Sequence, residues 1–181
     1  MSSSGARVAP RLDELRHSFD SSFSRPPPPQ KDAGEALLRL QVGGASLGVR
    51  LHQLAGLHLM PRLVRLPGGP ASLLGLVGIR GQLIAVHDLA ALLGLPPGEP
   101  PKWLLLAGGA RRVGLAATGF EGQLRATREQ VSSGAVASAH PLLNTHVLPP
   151  GAPPLPVLDV DGLVASLLEA AAAAASSENG G

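Results

Sequence analysis

The run LGLVGIRGQLIAVHDL, residues 74–89, carries the reading of the fold. It opens in an apolar stretch over 71–79, breaks at Arg80-Gly81, and resumes as a second apolar stretch. A short break containing glycine between two apolar runs is the mark of a tight hairpin turn. The second strand then delivers Asp88 in front of Leu89, Leu92 and Leu93, the apolar face of a short helix. Asp88 reads as the N-cap of that helix, because its carboxylate can accept a bond from an early backbone N–H that the helix cannot satisfy itself. Gly94 and Pro96-Pro97 end the helix, one by adopting a left-handed cap and the others by lacking an N–H.

Upstream, the pattern changes to period two. Leu38, Leu40 and Val42 alternate with Leu37, Arg39 and Gln41, Gly43-Gly44 supplies a turn, and Leu47, Val49 and Leu51 form the returning strand. The same design recurs 65 residues later, where a strand at 103–107 is followed by Gly108-Gly109-Ala110 and then Val113-Gly114-Leu115, matching Leu47-Gly48-Val49. Two copies of one hairpin predict two small, similar β-units within one fold. Downstream, residues 131–139 are small and polar, and 149–156 hold five prolines. A closing strand and turn at 156–161 lead into an amphipathic helix over 163–175 and a polar tail. Near the start, Leu12, Leu15, Phe19 and Phe23 fall on one face of a helix over 10–24, followed by Arg25 and the prolines 26–29. That segment reads either as a tethered docking helix or as a disordered tail with chance periodicity.

Composition narrows the chemistry. The chain of 181 residues has no Cys, which excludes a disulfide scaffold and any thiolate metal site. One Trp and no Tyr argue against an aromatic stacking platform for nucleic acid. Charge is uneven: residues 1–35 carry five basic and five acidic groups, 36–131 ten and four, and 132–181 none and four. A +6 middle favours acidic partners, although no Lys/Arg run accompanies it. No signal peptide is read at the N-terminus and no apolar run reaches the ~20 residues of a membrane span, so the expected location is cytoplasmic.

The catalytic inventory is empty. His52 and His58 stand six apart, as do His140 and His146, spacings that fit neither a helical pair nor a zinc finger, so no metal is expected. Asp159 and Asp161 read as the end of a strand and the cap of the last helix. Gly75, Gly78 and Gly81 do not spell a dinucleotide loop, and neither a phosphate-binding Gly-Lys-Ser/Thr nor a serine nucleophile elbow is present. No cofactor and no enzymatic activity are expected; a binding module is.

The run at 74–89 resembles the signature of the CheW-like family, roughly Leu-Gly, two hydrophobics, Asn, a hydrophobic, Arg-Gly, then an apolar strand ending in Asp-Leu. Gly78 stands at the Asn position and Ala85 where Pro is common. The Gly43-Gly44 hairpin, Arg111-Arg112-Val113-Gly114-Leu115 and Leu158-Asp159-Val160-Asp161-Gly162-Leu163 follow in the family's order and spacing. The resemblance covers residues 36–168, leaving 1–35 as an N-terminal amphipathic segment with its Pro-rich spacer and 169–181 as a helical end and polar tail. It implies a mainly β fold of two small, SH3-like five-stranded β-barrels sharing a core, with short helices and a C-terminal helix. It also implies a non-enzymatic adaptor between the cytoplasmic tip of a chemoreceptor and the regulatory domain of a CheA-type histidine kinase in chemotaxis. Carried over by position, the receptor face comprises Arg80, Gly75, Ile79, Gly81 and Leu54, the last in a helical segment after the first hairpin. The kinase side comprises Val113, Gly114 and Leu115. Arg80 also reads as an ordinary turn residue, and Leu54 as core. A CheW-like module in another signalling or motility pathway, with the 10–24 helix holding a private partner, is one alternative. A small β-barrel binding nucleic acid through the +6 middle is the other.

Overall fold

The computed structural model describes residues 34–133 and 140–178. The helix expected over 10–24 and the proline spacer lie outside them. Strands β1 (Glu35–Val42) and β2 (Ala45–Arg50) form the first hairpin, turning on Gly43 and Gly44, both at positive φ. A single 3-10 turn (Leu51–Gln53) leads to β3 (Leu54–Leu59). Next come β4 (Leu73–Ile79) and β5 (Gln82–Asp88), then the one-turn helix α1 (Leu89–Leu92). The second half contains β6 (Trp103–Ala107), β7 (Val113–Ala117) and β8 (Gly119–Ala126). It ends with the short strands β9 (Val131–Ser133), β10 (Thr145–Val147) and β11 (Leu155–Leu158) and the helix α2 (Val160–Glu178).

Two sheets result, of order β8-β1-β2-β11-β10-β9 and β3-β6-β7-β5-β4. The fold is thus the mainly β, double SH3-like arrangement the sequence predicts, the sixth strand of the first sheet being the three-residue β9. The duplication is deeper than the two hairpins. Read across, β8-β1-β2-β11-β10 and β3-β6-β7-β5-β4 correspond strand for strand. Each places a parallel pair at the same point: β11 beside β2, with Val157 opposite Gly48, and β5 beside β7, with Val86 opposite Gly114. Yet the hairpins have changed places. The first-half hairpin β1–β2 sits among second-half strands, and the second-half hairpin β6–β7 among first-half strands.

The exchange explains strands that are apolar on both faces, a pattern expected where neither face meets water. Leu38, Leu40 and Val42 of β1 and Leu105 and Ala107 of β6 point into one core shared by the sheets. The alternate residue Leu37 packs inside the first sheet, with Ala126, Val147 and Val157. Likewise Leu104 and Leu106 pack inside the second, with Val77, Ile84 and Val86. Leu89 and Ala90 of α1 and Leu163 and Val164 of α2 close the shared core.

Both described helices begin on an aspartate, Asp88 as the last residue of β5 and Asp159 as the residue after β11. Asp88 Oδ1 accepts from Ala90 N at 2.9 Å, and Asp159 Oδ1 accepts from Gly162 N at 3.2 Å. The second cap starts α2 at Val160, three residues before the expected onset, and ends the closing strand at Leu158 rather than in the turn at Asp161. The placement of Leu54 in a helical segment is corrected as well. The 3-10 turn stops at Gln53, and the backbone at Leu54 is extended, opening β3 opposite Ala107.

Candidate functional site

The β4–β5 hairpin turns on two residues, with Ile79 paired to Gln82 across Arg80-Gly81. Arg80 (φ 51) and Gly81 (φ 76) both lie in the left-handed region, and Arg80 is the only non-glycine there among the described residues. Two-residue hairpins want this backbone because its twist matches that of the strands, and they favour Asn, Asp or Gly in it. An arginine gains no local bond in return and carries a steric cost of about 1–2 kcal/mol. Its side chain projects into solvent with no carboxylate partner among the described residues. Local strain at an exposed, chemically capable side chain makes Arg80 a candidate for the site.

The structure brings together three of the five residues expected on this face. Ile79, Arg80 and Gly81 are contiguous at the hairpin tip, Ile79 leaning on the core inside the second sheet. Gly75 lies four residues back and is buried. It serves the strap that follows β3: Val64 N donates to Leu76 O at 2.9 Å and Leu76 N to Val64 O at 2.8 Å, so the strap crosses directly over Gly75. That strap borders a groove of about 600 Å³ lined by Met60, Leu63, Leu66, Leu73 and Leu74, with Arg65 at its rim. Leu54 lies on β3, the opposite edge strand, with β6, β7 and β5 between it and β4. There it packs half-buried against the shared core.

Val113, Gly114 and Leu115 are buried in β7, a central strand. A Cβ on Gly114 would approach Leu104 Cδ1 and Val86 Cγ2 to 2.9 Å, so the glycine lets Val86 of the parallel neighbour lie across the strand. No partner can touch these side chains while the sheet is intact. The residues that do reach solvent on that strand's approach are Arg111 and Arg112, which line a cleft of about 350 Å³ with Gln82, Leu83 and Ile84. Leu83 is 72% exposed. The sequence hides this because β5 is apolar at alternating and intervening positions alike, so periodicity cannot say which side faces out.

A histidine sits near the end of the same strand. His87 is half-buried opposite Leu73, its Nδ1 without a hydrogen-bond partner, and burial lowers its pKa from the ordinary 6.5. The neutral form is therefore favoured in the fold, and the unfolded chain takes up the proton first as pH falls. The stability this contributes is complete above pH 6.5 and is lost as pH drops toward the lower folded value. Denaturation midpoints measured from pH 7.5 to 5 should fall more steeply for the native chain than for His87→Leu; parallel curves would contradict this. Among the described residues, no three His, Asp or Glu side chains are grouped to hold a metal ion.

A family model, the CheW-like domain, matches residues 36–168. A solved structure described as the scaffolding protein TtCheW from Thermoanaerobacter tengcongensis superimposes with a TM-score of 0.63 at 11% identity. The match covers 70% of this chain and 89% of that one, a likeness of fold. No curated protein sequence matches significantly.

Proposed function

The chain belongs to the CheW-like domain family, and from that we propose that it is a non-enzymatic adaptor linking a chemoreceptor's cytoplasmic tip to the regulatory domain of a CheA-type histidine kinase in chemotaxis. Such a protein acts by geometry. Holding two partners at a fixed separation raises their effective concentration without any chemistry. The TtCheW neighbour is itself named a scaffolding protein. No described helix is long and apolar enough to cross a membrane.

The observation that carries the reading is Arg80 in the left-handed turn. A guanidinium held there can form a paired, two-point contact with a receptor carboxylate. Ile79 and Gly81 hold its backbone and Gly75 holds the strap behind it; Leu54 supplies apolar surface on the far edge. On the kinase side, Val113, Gly114 and Leu115 form the rigid floor beneath whatever the kinase touches.

The test separates stability from binding. Arg80→Asn removes the guanidinium and puts a residue suited to positive φ in its place, so the variant should unfold at or above the native temperature. Its affinity for a receptor cytoplasmic fragment should nevertheless drop about tenfold, and that of Arg80→Asp further, roughly in line with the loss of a charge-assisted pair. Calorimetric titration with the receptor fragment and with the kinase regulatory domain from the same organism decides the matter. Unchanged affinity in a folded Arg80→Asp protein would remove Arg80 from the site. No binding of either partner by the native chain would end the adaptor reading.

A further inference from the structure

We infer that Arg80, Arg111 and Arg112 form one cationic face around the exposed Leu83, and that this face receives an acidic segment of a single protein partner carrying an apolar side chain between its carboxylates. The inference rests on the adaptor reading for the identity of the partner, but not for the existence of the face.

The face is assembled by strand pairing. β5 and β7 run parallel with Val86 opposite Gly114. Counting back along both strands brings Ile84 level with Arg112 and Leu83 level with Arg111, and these residues line the same cleft. Arg80 stands in the turn that begins β5, two residues before Gln82 on the cleft wall. The β6–β7 turn is equally constrained. Gly108 has φ +87, and a Cβ there would meet the carbonyl oxygen of Arg111 at 2.5 Å, so the loop closes tightly enough to hold both arginines at the mouth.

Its charge is unopposed. Residues 51–87 and 100–120 contain no carboxylate. Of the two acidic residues between those stretches, Asp88 is spent capping α1, and Glu99 pairs with Lys102 at 2.8 Å. Of the other described arginines, Arg39 pairs with Glu121 at 2.6 Å and Arg50 with Glu35 at 2.9 Å, while Arg62, Arg65, Arg125 and Arg128 stand singly without a carboxylate partner and line no common cleft with Leu83. Arg80, Arg111 and Arg112 have no such partner among the described residues. Three guanidiniums without a counter-charge, around an aliphatic side chain that is 72% exposed, complement a segment of alternating acidic and apolar character. A phosphate backbone would use the charge but leave Leu83 facing water, which favours the peptide.

The consequence is specific. The arginine assigned to the receptor and those on the approach to the kinase-side strand serve the same partner. The experiment titrates the native chain, Arg80→Asp, Arg111→Glu/Arg112→Glu and Leu83→Ser with the receptor fragment and with the kinase regulatory domain; Arg128→Glu controls for net charge. Both charge reversals should weaken binding of the same partner tenfold or more, and Leu83→Ser several-fold, with Arg128→Glu within twofold. Weakening of different partners by the two reversals would overturn the inference, as would a folded double reversal that binds both partners within twofold of native. If the native chain binds neither partner, the adaptor reading fails and the face is tested directly. A labelled synthetic peptide alternating Glu and Leu should then perturb the amide resonances of Leu83, Arg111 and Arg112. Perturbation elsewhere, or none, or tighter binding of a single-stranded oligonucleotide at these residues, would overturn the inference.

Discussion

Gly75→Ala should lose about 3–5 kcal/mol of stability and lower the melting temperature by roughly 10 °C, while Gly78→Ala, three residues along the same strand, should change it by less than about 1 kcal/mol. The two glycines are both in β4 and differ in what surrounds them. Gly75 has φ +150, where a side chain is strained, and an added Cβ would run into the carbonyl oxygen of Val64. That oxygen is fixed, because it accepts from Leu76 N at 2.8 Å while Val64 N donates back to Leu76 O at 2.9 Å. Backbone cannot swing aside as a side-chain tip can. Either the Val64 bridge opens, uncovering Met60, Leu63 and Leu74 that pack against the core inside the second sheet, or β4 bends. Gly78 is exposed, without positive φ, and a Cβ there meets nothing within 4 Å. Strain of about 1–3 kcal/mol from the backbone conformation, added to a similar cost for overpacking, brackets that range. Against a total stability of about 5–15 kcal/mol the protein still folds, so thermal melts of both variants are measurable. Indistinguishable melts would mean that the strap is not pinned over Gly75.

What could be read from the chain divides by range. The Arg80-Gly81 turn, the two glycine-turn hairpins and both aspartate caps are local: each depends on neighbouring residues whose chemistry dictates the backbone. Leu54 is not legible in this way, because one 3-10 turn and a longer helix look alike over three residues and the pairing of Leu54 with Ala107 is not visible locally. The burial of Val113 and Leu115 and the exposure of Leu83 are longer-range still. Both strands are apolar on each face, so which face meets water depends on where the opposite sheet stops. Arg111 and Arg112 stood in the sequence beside the residues carried over for the kinase side. Only the parallel pairing of β5 with β7 shows that they border the same cleft as Leu83.

Cutting the chain within the exposed, Pro-rich connection at 94–101 should leave its halves bound together, whereas neither half made alone should fold. The reason lies in which ladders cross the cut. β8–β1, β2–β11, β3–β6 and β7–β5 all join one half to the other. Within the first half only β1–β2 and β4–β5 remain, two isolated hairpins, which are marginal in water. A half cannot recover by taking back its own hairpin, although the two sheets are equivalent strand for strand. β8 enters antiparallel beside β1, with Gly119 opposite Gln41. In the same role beside its own β6 it would have to start near Ala107, yet β7 delivers the chain beside Trp103. The connection is Thr118 alone, and the length to be retraced is the five residues of β6, about 16 Å at 3.3 Å per residue. The first half meets the same obstacle, with only the 3-10 turn Leu51–Gln53 between β2 and β3. Short connections therefore force the exchange, and the exchange makes one cooperative unit of two repeats. A protease site placed between Pro97 and Glu99 permits the test. After cleavage the fragments should co-elute on size exclusion and separate only in denaturant, and each half expressed alone should show no cooperative melt. Fragments that part in buffer, each with its own sharp transition, would mean that the halves close on themselves and that the hairpins are not exchanged.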